Sequence, residues 1–209
     1  MPQPHTLKIA DIFSSIQGEG LRQGEPTIFI RLSGCNLRCS FCDTKYAWRK
    51  GRNYTVSRIL LEIRKIRKRF PAEWVCLTGG EPLLQDLSEL VKNLKKEHLK
   101  IQIETNATFF QPLPVDWHTI SPKPRNYFYR PEYKSRAKEI KLLVTRSLPY
   151  DVVKKIRREF PARTPLLLQI ESNLASSLKK GLKYLKLATQ DGLRNIRVSA
   201  QLHKFFGLP

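Results

Sequence analysis

The run 27-TIFIRLSGCNLRCSFCDT-44 joins an apolar stretch to a loop that carries three cysteines in eight positions, Cys35, Cys39 and Cys42. Isoleucine and phenylalanine in the apolar half predict a strand over 27–34. The cysteines then fall at its C-terminal end, the side on which parallel α/β sheets build their active sites. Working outward, strands are predicted over 74–79, 100–105, 117–121, 139–145, 166–171 and 195–201, and helices over 55–70, 84–97, 149–160 and 173–188. Such alternation implies a mostly parallel sheet with right-handed crossovers. Seven candidate strands fall short of a closed eight-stranded barrel, so the expected fold is α/β, a partial TIM-like barrel in a single domain over 1–209. There is no internal repeat, and the long irregular piece 121-SPKPRNYFYRPEYKS-135 reads as an insertion or a lid.

Composition bounds the partners. The chain opens MPQPHTLKIADIF, without a basic segment leading into an apolar one, and no later apolar run approaches membrane-spanning length. A soluble, cytoplasmic protein with reduced thiols is expected, and clustered thiols there point to metal or catalysis. The formal net charge of +20, from 38 Lys+Arg against 18 Asp+Glu, raises the question of nucleic acid. Yet in 56-VSRILLEIRKIRKRF-70 the apolar residues recur at helical spacing, which puts the basic ones on the outer face. The other basic residues are scattered, an arrangement that argues against direct nucleic-acid binding.

A structural zinc site takes four protein ligands. Here the fourth cysteine, Cys76, lies inside the apolar strand 74-WVCLTG-79, where a small buried residue is expected, and neither His118 nor His203 has ligand-like spacing to the loop. Soft thiolates also hold iron–sulfur clusters. Three cysteines on a four-iron cluster leave one iron without a protein ligand, and an open coordination position is where a substrate or cosubstrate binds. The segment 78-TGGEP-82, after the second strand, adds two glycines that permit close backbone approach and an acceptor, Glu81. Polar residues end further predicted strands: Thr105 and Asn106 in 104-ETNAT-108, Ser121 and Lys123 in 121-SPK-123. Ribose, adenine or carboxylate would suit them, as would ordinary turn and cap chemistry.

The C-x3-C-x2-C spacing, with Phe41 before the last cysteine, resembles the signature of radical S-adenosylmethionine enzymes. In that superfamily the cosubstrate chelates the open iron of a 4Fe-4S cluster, and its cleavage yields a 5′-deoxyadenosyl radical; the cofactor carries the chemistry and the protein positions it. The resemblance implies methionine binding by Gly79, Gly80 and Glu81. It implies further cosubstrate contacts from Phe41, Asp43, Thr105, Asn106, Ser121, Lys123 and Gln169. More narrowly, 13-FSSIQGEG-20, 29-FIRLSGCNLRC-39, 42-CDTKYAW-48, 78-TGGEPLLQ-85, 104-ETN-106, 121-SPK-123 and 201-QLHKFFGLP-209, in this order, are similar to the 7-carboxy-7-deazaguanine synthases. Those enzymes contract the ring of 6-carboxy-5,6,7,8-tetrahydropterin with loss of ammonia, on the route to the queuosine and archaeosine of tRNA. The resemblance implies substrate contacts from Ile16, Gln17, Gly18, Glu19, Arg31, Thr78, His203 and the carboxylate of Pro209. It also implies Mg2+ on Thr44, a flavodoxin or ferredoxin as electron donor, and a homodimer. Arg31 suits a bidentate carboxylate clamp, against the alternative of a surface ion pair.

Two departures stand out. Asn106-Ala107 replaces Asn-Gly, which suggests that the backbone there need not adopt a positive φ. The stretch 169-QIES-172 lacks the Gln-Pro of a cosubstrate-binding turn, leaving Gln169 as its expected contact. Two other readings stay open at this point. One is a different radical enzyme, an activase or a tRNA-modifying enzyme; the other is a basic RNA-binding module with a structural metal.

Overall fold

A computed structural model describes residues 5–209, so the first four residues of the opening segment lie outside the described residues. The chain divides into two compact units. The first combines the chain up to Ile16 with Pro26–Thr105 and Phe109–Trp117; the second combines Gln17–Glu25, Asn106–Thr108 and His118–Pro209.

The first unit holds β1 (Thr6–Ile16), β2 (Pro26–Leu32), β3 (Arg52–Thr55), α1 (Val56–Arg67), β4 (Trp74–Gly79), α2 (Ser88–Lys96) and β5 (Lys100–Thr105). Its strands run in the order β3-β1-β2-β4-β5. β1 is antiparallel to both neighbours, and β2, β4 and β5 pair in parallel. The strand β2 lies where it was expected, whereas β1 and β3 were not anticipated. The reason in β1 is a register shift between Ile9 and Asp11, which interrupts the alternation begun by Leu7 and Ile9. In β3 only four polar residues pair.

In α1 Thr55 caps the first turn by accepting from Arg58 N, while Val56, Ile59, Leu60 and Ile63 are buried. Full burial of each aliphatic side chain contributes about 1.5–3 kcal/mol. Arg64, Lys65 and Arg67 in its last turn complement the helix dipole. The helix α2 begins later than expected, because residues 82–84 form a 3-10 turn capped by Glu81.

The second unit holds β6 (Trp117–Ile120), α3 (Tyr133–Arg136), β7 (Ala137–Val144), α4 (Tyr150–Glu159), β8 (Leu166–Ile170), α5 (Ala175–Gln190), β9 (Ile196–Ser199) and α6 (Leu202–Phe206). From β6 to β9 every pairing is parallel and in chain order. All five residues of β8 are buried, as a parallel strand covered on both faces requires. Against it packs α5, whose Gly181 leaves room for Ile170.

Among the described residues the fold is thus α/β with mostly parallel strands and no pairing that closes a barrel, the expected class. No helix among them is long and apolar enough to cross a membrane.

One side chain ties the start of β1 to the segment after β4. Gln85 Oε1 accepts from Lys8 N at 2.7 Å, and its Nε2 donates to Lys8 O and Ser33 O, each at 3.0 Å. Gln85→Leu removes all three hydrogen bonds. It should lower unfolding free energy by about 1–3 kcal/mol, read as a shift of the denaturant midpoint at unchanged slope.

Candidate active site

In the first unit the strand β2 ends at Leu32 and the chain turns through Gly34, at φ +102°, into the cysteine loop. Cys35, Cys39 and Cys42 are half-buried and outside any disulfide, on irregular backbone. Cys42 N donates to Cys39 O at 3.1 Å, and Thr44 N lies 3.4 Å from Cys42 Sγ as a donor. Phe41 is half-buried in the same loop. Cys76 is buried in β4, in the small-core-residue role expected of it.

The neighbouring strand end meets this loop through its backbone. Gly80 N donates to Leu32 O at 3.1 Å and Glu81 N to Gly34 O at 2.8 Å. Gly79 has φ +133°, and a Cβ there would overlap the Leu32 backbone; one on Gly80 would overlap the Gly34 carbonyl and stand 3.0 Å from Cys35 Cβ. Both glycines are therefore dictated by close approach. Glu81 is fully buried, and its Oε1 accepts from Leu83 N at 3.1 Å and from Thr105 Oγ1 at 2.7 Å. Two residues expected to bind cosubstrate are thus joined to each other.

Arg31 and Thr78 are register partners on β2 and β4. The Arg31 guanidinium lies 5.3 Å from the Phe13 ring centroid and 5.9 Å from that of Tyr46, and donates to Thr44 Oγ1 at 3.1 Å. That hydroxyl in turn donates to Asp43 Oδ1 at 3.1 Å. Arg31 Nε is buried without a hydrogen-bond partner, and among the described residues no carboxylate pairs with this cation directly. The surface ion pair, the alternative reading of Arg31, is absent among the described residues. Phe13 and Tyr46 were not singled out from the sequence; the FSSI and KYAW segments contain them, but nothing local says that they flank an arginine. Ile16 closes β1 opposite Pro26.

In the second unit Gln17, Gly18 and Gly20 are buried and Glu19 is half-buried. Glu19 N donates to Gln17 Oε1 at 3.1 Å. The Glu19 carboxylate receives Lys141 Nζ on one oxygen and Gln201 Nε2 on the other, each at 2.6 Å. Burial works to raise its pKa. The Lys141 charge, the Lys141 and Gln201 hydrogen bonds and the His203 charge outweigh burial and hold the carboxyl below its ordinary value. His203 packs on Gly18, where a Cβ would sit 2.6 Å from its Nδ1. Pro209 is exposed.

Ser121 Oγ donates to Lys141 O at 2.9 Å and accepts from Lys123 Nζ at 2.7 Å. Asn106 forms a local turn by accepting from Thr108 N at 2.9 Å. Gln169 is buried between β8 and β9, donating to Ser199 O and accepting from Ser199 Oγ, each at 3.2 Å. One expectation fails: Ala107 adopts φ +68°. Its carbonyl accepts from Arg130 N at 2.9 Å and the residue is fully buried, so packing imposes the conformation that glycine would take without strain. Lys141 and Gln201 were also missed. The signal was available in 139-EIKLLVT-145, where two charges alternate with core residues on a strand.

The donor set fits an iron–sulfur cluster. Among the described residues no three His, Cys, Asp or Glu side chains converge as around a single metal ion. A four-iron cluster places each thiolate on a separate iron, and three soft donors on one loop are of the kind it takes. Residues 29–119 match the Radical SAM superfamily model, a span that holds the cysteine loop, the glycine pair and Thr105. Loop, glycines and sheet together make this a radical S-adenosylmethionine enzyme.

The 7-carboxy-7-deazaguanine synthase of Aquifex aeolicus is 36% identical, over 97% of this chain and 94% of its own length. That of Synechocystis is 33% identical, over 96% and 92%. The crystal structure of QueE from Escherichia coli superposes with a TM-score of 0.78 at 28% identity, covering 95% of both chains. The chain belongs to the 7-carboxy-7-deazaguanine synthase family.

Gly80→Ala tests the backbone contact. The methyl group meets a carbonyl that cannot move without moving Cys35, so the variant should lose about 1–3 kcal/mol of stability. Reconstituted protein should also hold less iron per chain than the parent, measured by iron and sulfide content.

Proposed function

We propose that the chain converts 6-carboxy-5,6,7,8-tetrahydropterin to 7-carboxy-7-deazaguanine with loss of ammonia, supplying the 7-deazapurine of modified tRNA. The observation that carries this reading is Arg31. A guanidinium near two aromatic rings, with one buried N–H unpaired and, among the described residues, no acid in direct contact, suits an incoming anion, and the substrate's carboxylate is a planar anion of matching geometry.

In this reading Cys35, Cys39 and Cys42 hold the 4Fe-4S cluster, and Gly79, Gly80, Glu81, Phe41, Asp43, Thr105, Asn106, Ser121, Lys123 and Gln169 serve S-adenosylmethionine. When bound, cluster and cosubstrate supply the radical that removes hydrogen from the substrate. Arg31 orients the carboxylate while Thr78 adds a hydroxyl beside it in register. Ile16, Gln17, Gly18 and Glu19 read the pterin edge through backbone groups, an amide and an ionised acceptor. His203 supports Gly18, and Pro209 is a further substrate contact. Thr44 offers Mg2+ one oxygen, with the remaining positions left to water and substrate. A flavodoxin or ferredoxin delivers the electron, and the working form is a homodimer.

Anaerobic turnover tests the reaction. Cluster-loaded protein given dithionite, S-adenosylmethionine, Mg2+ and the tetrahydropterin should form the deazapurine, detected by absorbance and mass, and Cys39→Ala should form none. Deoxyadenosine without deazapurine would retain the superfamily and remove this substrate. Arg31→Met should raise KM for the pterin by roughly 100-fold, and Arg31→Lys, which keeps the charge without the fork, by roughly tenfold.

A further inference from the structure

Two charged side chains on one face of β7 engage the 17–25 segment. Glu139 and Lys141 are two residues apart and project the same way. Glu139 is fully buried; it accepts from Thr119 Oγ1 and from Leu21 N, each at 2.7 Å. Gly20 lies directly over it, since a Cβ there would overlap the carboxylate. Lys141, whose side chain is 5% exposed, reaches Glu19.

The start of the C-terminal segment engages the same 17–25 segment. Leu202 N donates to Gly18 O at 2.9 Å, and Gln23 Nε2 bridges Gly18 O and Ala200 O at 3.1 and 2.7 Å. Gln201 is itself immobilised. Its side-chain oxygen accepts from Ser172 N, and its backbone exchanges a pair of hydrogen bonds with the Asn173 side chain. Ser172 and Asn173 reach it from successive left-handed conformations, φ 48° and 56°.

A buried ion pair is a poor device for stability alone, because well-packed apolar residues of similar volume do as well or better. Its effect here is orientation. An ionised carboxylate offers about four acceptor directions; Lys141 takes one on Oε2 and Gln201 one on Oε1. We propose that Lys141 and Gln201 are positioning residues that fix the Glu19 carboxylate in one orientation, so that its remaining lone pairs receive the N–H donors of the substrate's aminopyrimidinone edge. This rests on the reading that Glu19 contacts the substrate.

The titratable groups facing Glu19 are Lys141 from β7 and His203 from α6. Removing Lys141 takes away its charge and its hydrogen bond, both of which lower the Glu19 pKa, so that pKa rises and the acid limb of substrate affinity moves up. The test is equilibrium binding of the tetrahydropterin to cluster-loaded protein, from pH 5 to 8, for the parent, Glu19→Gln, Lys141→Met, Lys141→Arg and the double variant Glu19→Gln/Lys141→Met. The double variant removes both charges, so no buried charge is left unpaired if Lys141→Met alone folds poorly.

Glu19→Gln and Lys141→Met should each weaken binding by roughly tenfold or more. The double variant should bind no worse than the weaker single one, since the second change acts through the first. Lys141→Arg should bind within about threefold of the parent. The proposal is overturned if Lys141→Met binds as the parent does at every pH, or if its loss adds in full to that of Glu19→Gln; the loop reading then stands without the clamp. If Glu19→Gln itself binds normally, the loop reading fails and takes the proposal with it.

Discussion

The approach of Gly80 to Gly34 is the constraint from which the first unit's chemistry follows. Two backbones meet without an intervening side chain: Gly80 N reaches Leu32 O and Glu81 N reaches Gly34 O. Any Cβ at 79 or 80 would strike backbone, not the flexible end of a side chain. The segment after β4 is thereby held in register with the start of the cysteine loop. Glu81, set by that contact, caps the 3-10 turn at 82–84 and meets Thr105 at the end of β5. A loop with no regular hydrogen-bond ladder of its own is fixed at its entry by strands that have one. That entry gives the three thiols a defined place from which to hold a cluster.

Charge is handled differently in the two units. Arg31 in the first has two aromatic rings and one hydroxyl for company, and among the described residues no acid pairs with it directly. Glu19 in the second is already matched by Lys141. An anion binding at Arg31 gains the attraction of the guanidinium charge, whereas a group binding at Glu19 meets a neutralised pair whose lone-pair directions are set. The first arrangement favours affinity and the second favours discrimination, because misdirected hydrogen bonds in a buried site cost more than well-directed ones add.

How much of this could be read from sequence depends on how far apart the cooperating residues lie. The cysteine spacing, the glycine pair and the strands β2, β4 and β8 were legible, since each is a local pattern of apolar period or short motif. β1 was hidden by its own irregularity at Ile9/Asp11, and β3 by having only four residues. The stacking of Phe13 and Tyr46 about Arg31, and the meeting of Lys141 and Gln201 at Glu19, join residues far apart in the chain. No local rule reports such meetings. The charges of Glu139 and Lys141 within an apolar strand were the one visible trace, and they needed the question of what neutralises them.

Ala107 shows the limit from the other side. A local rule assigns positive φ to glycine and disfavours it elsewhere, at about 1 kcal/mol or more for a Cβ-bearing residue. The chain nevertheless bends that way, with Ala107 buried and its carbonyl bound to Arg130 N. The hydrogen bond and the packing together exceed the local penalty, so the turn after β5 keeps its shape without the residue that would form it with least strain. A motif letter can therefore change while the geometry it usually marks persists. The residues to trust in such a motif are those whose contacts admit no substitute: Gly79 and Gly80 meet backbone and cannot change, whereas position 107 meets only a preference and can.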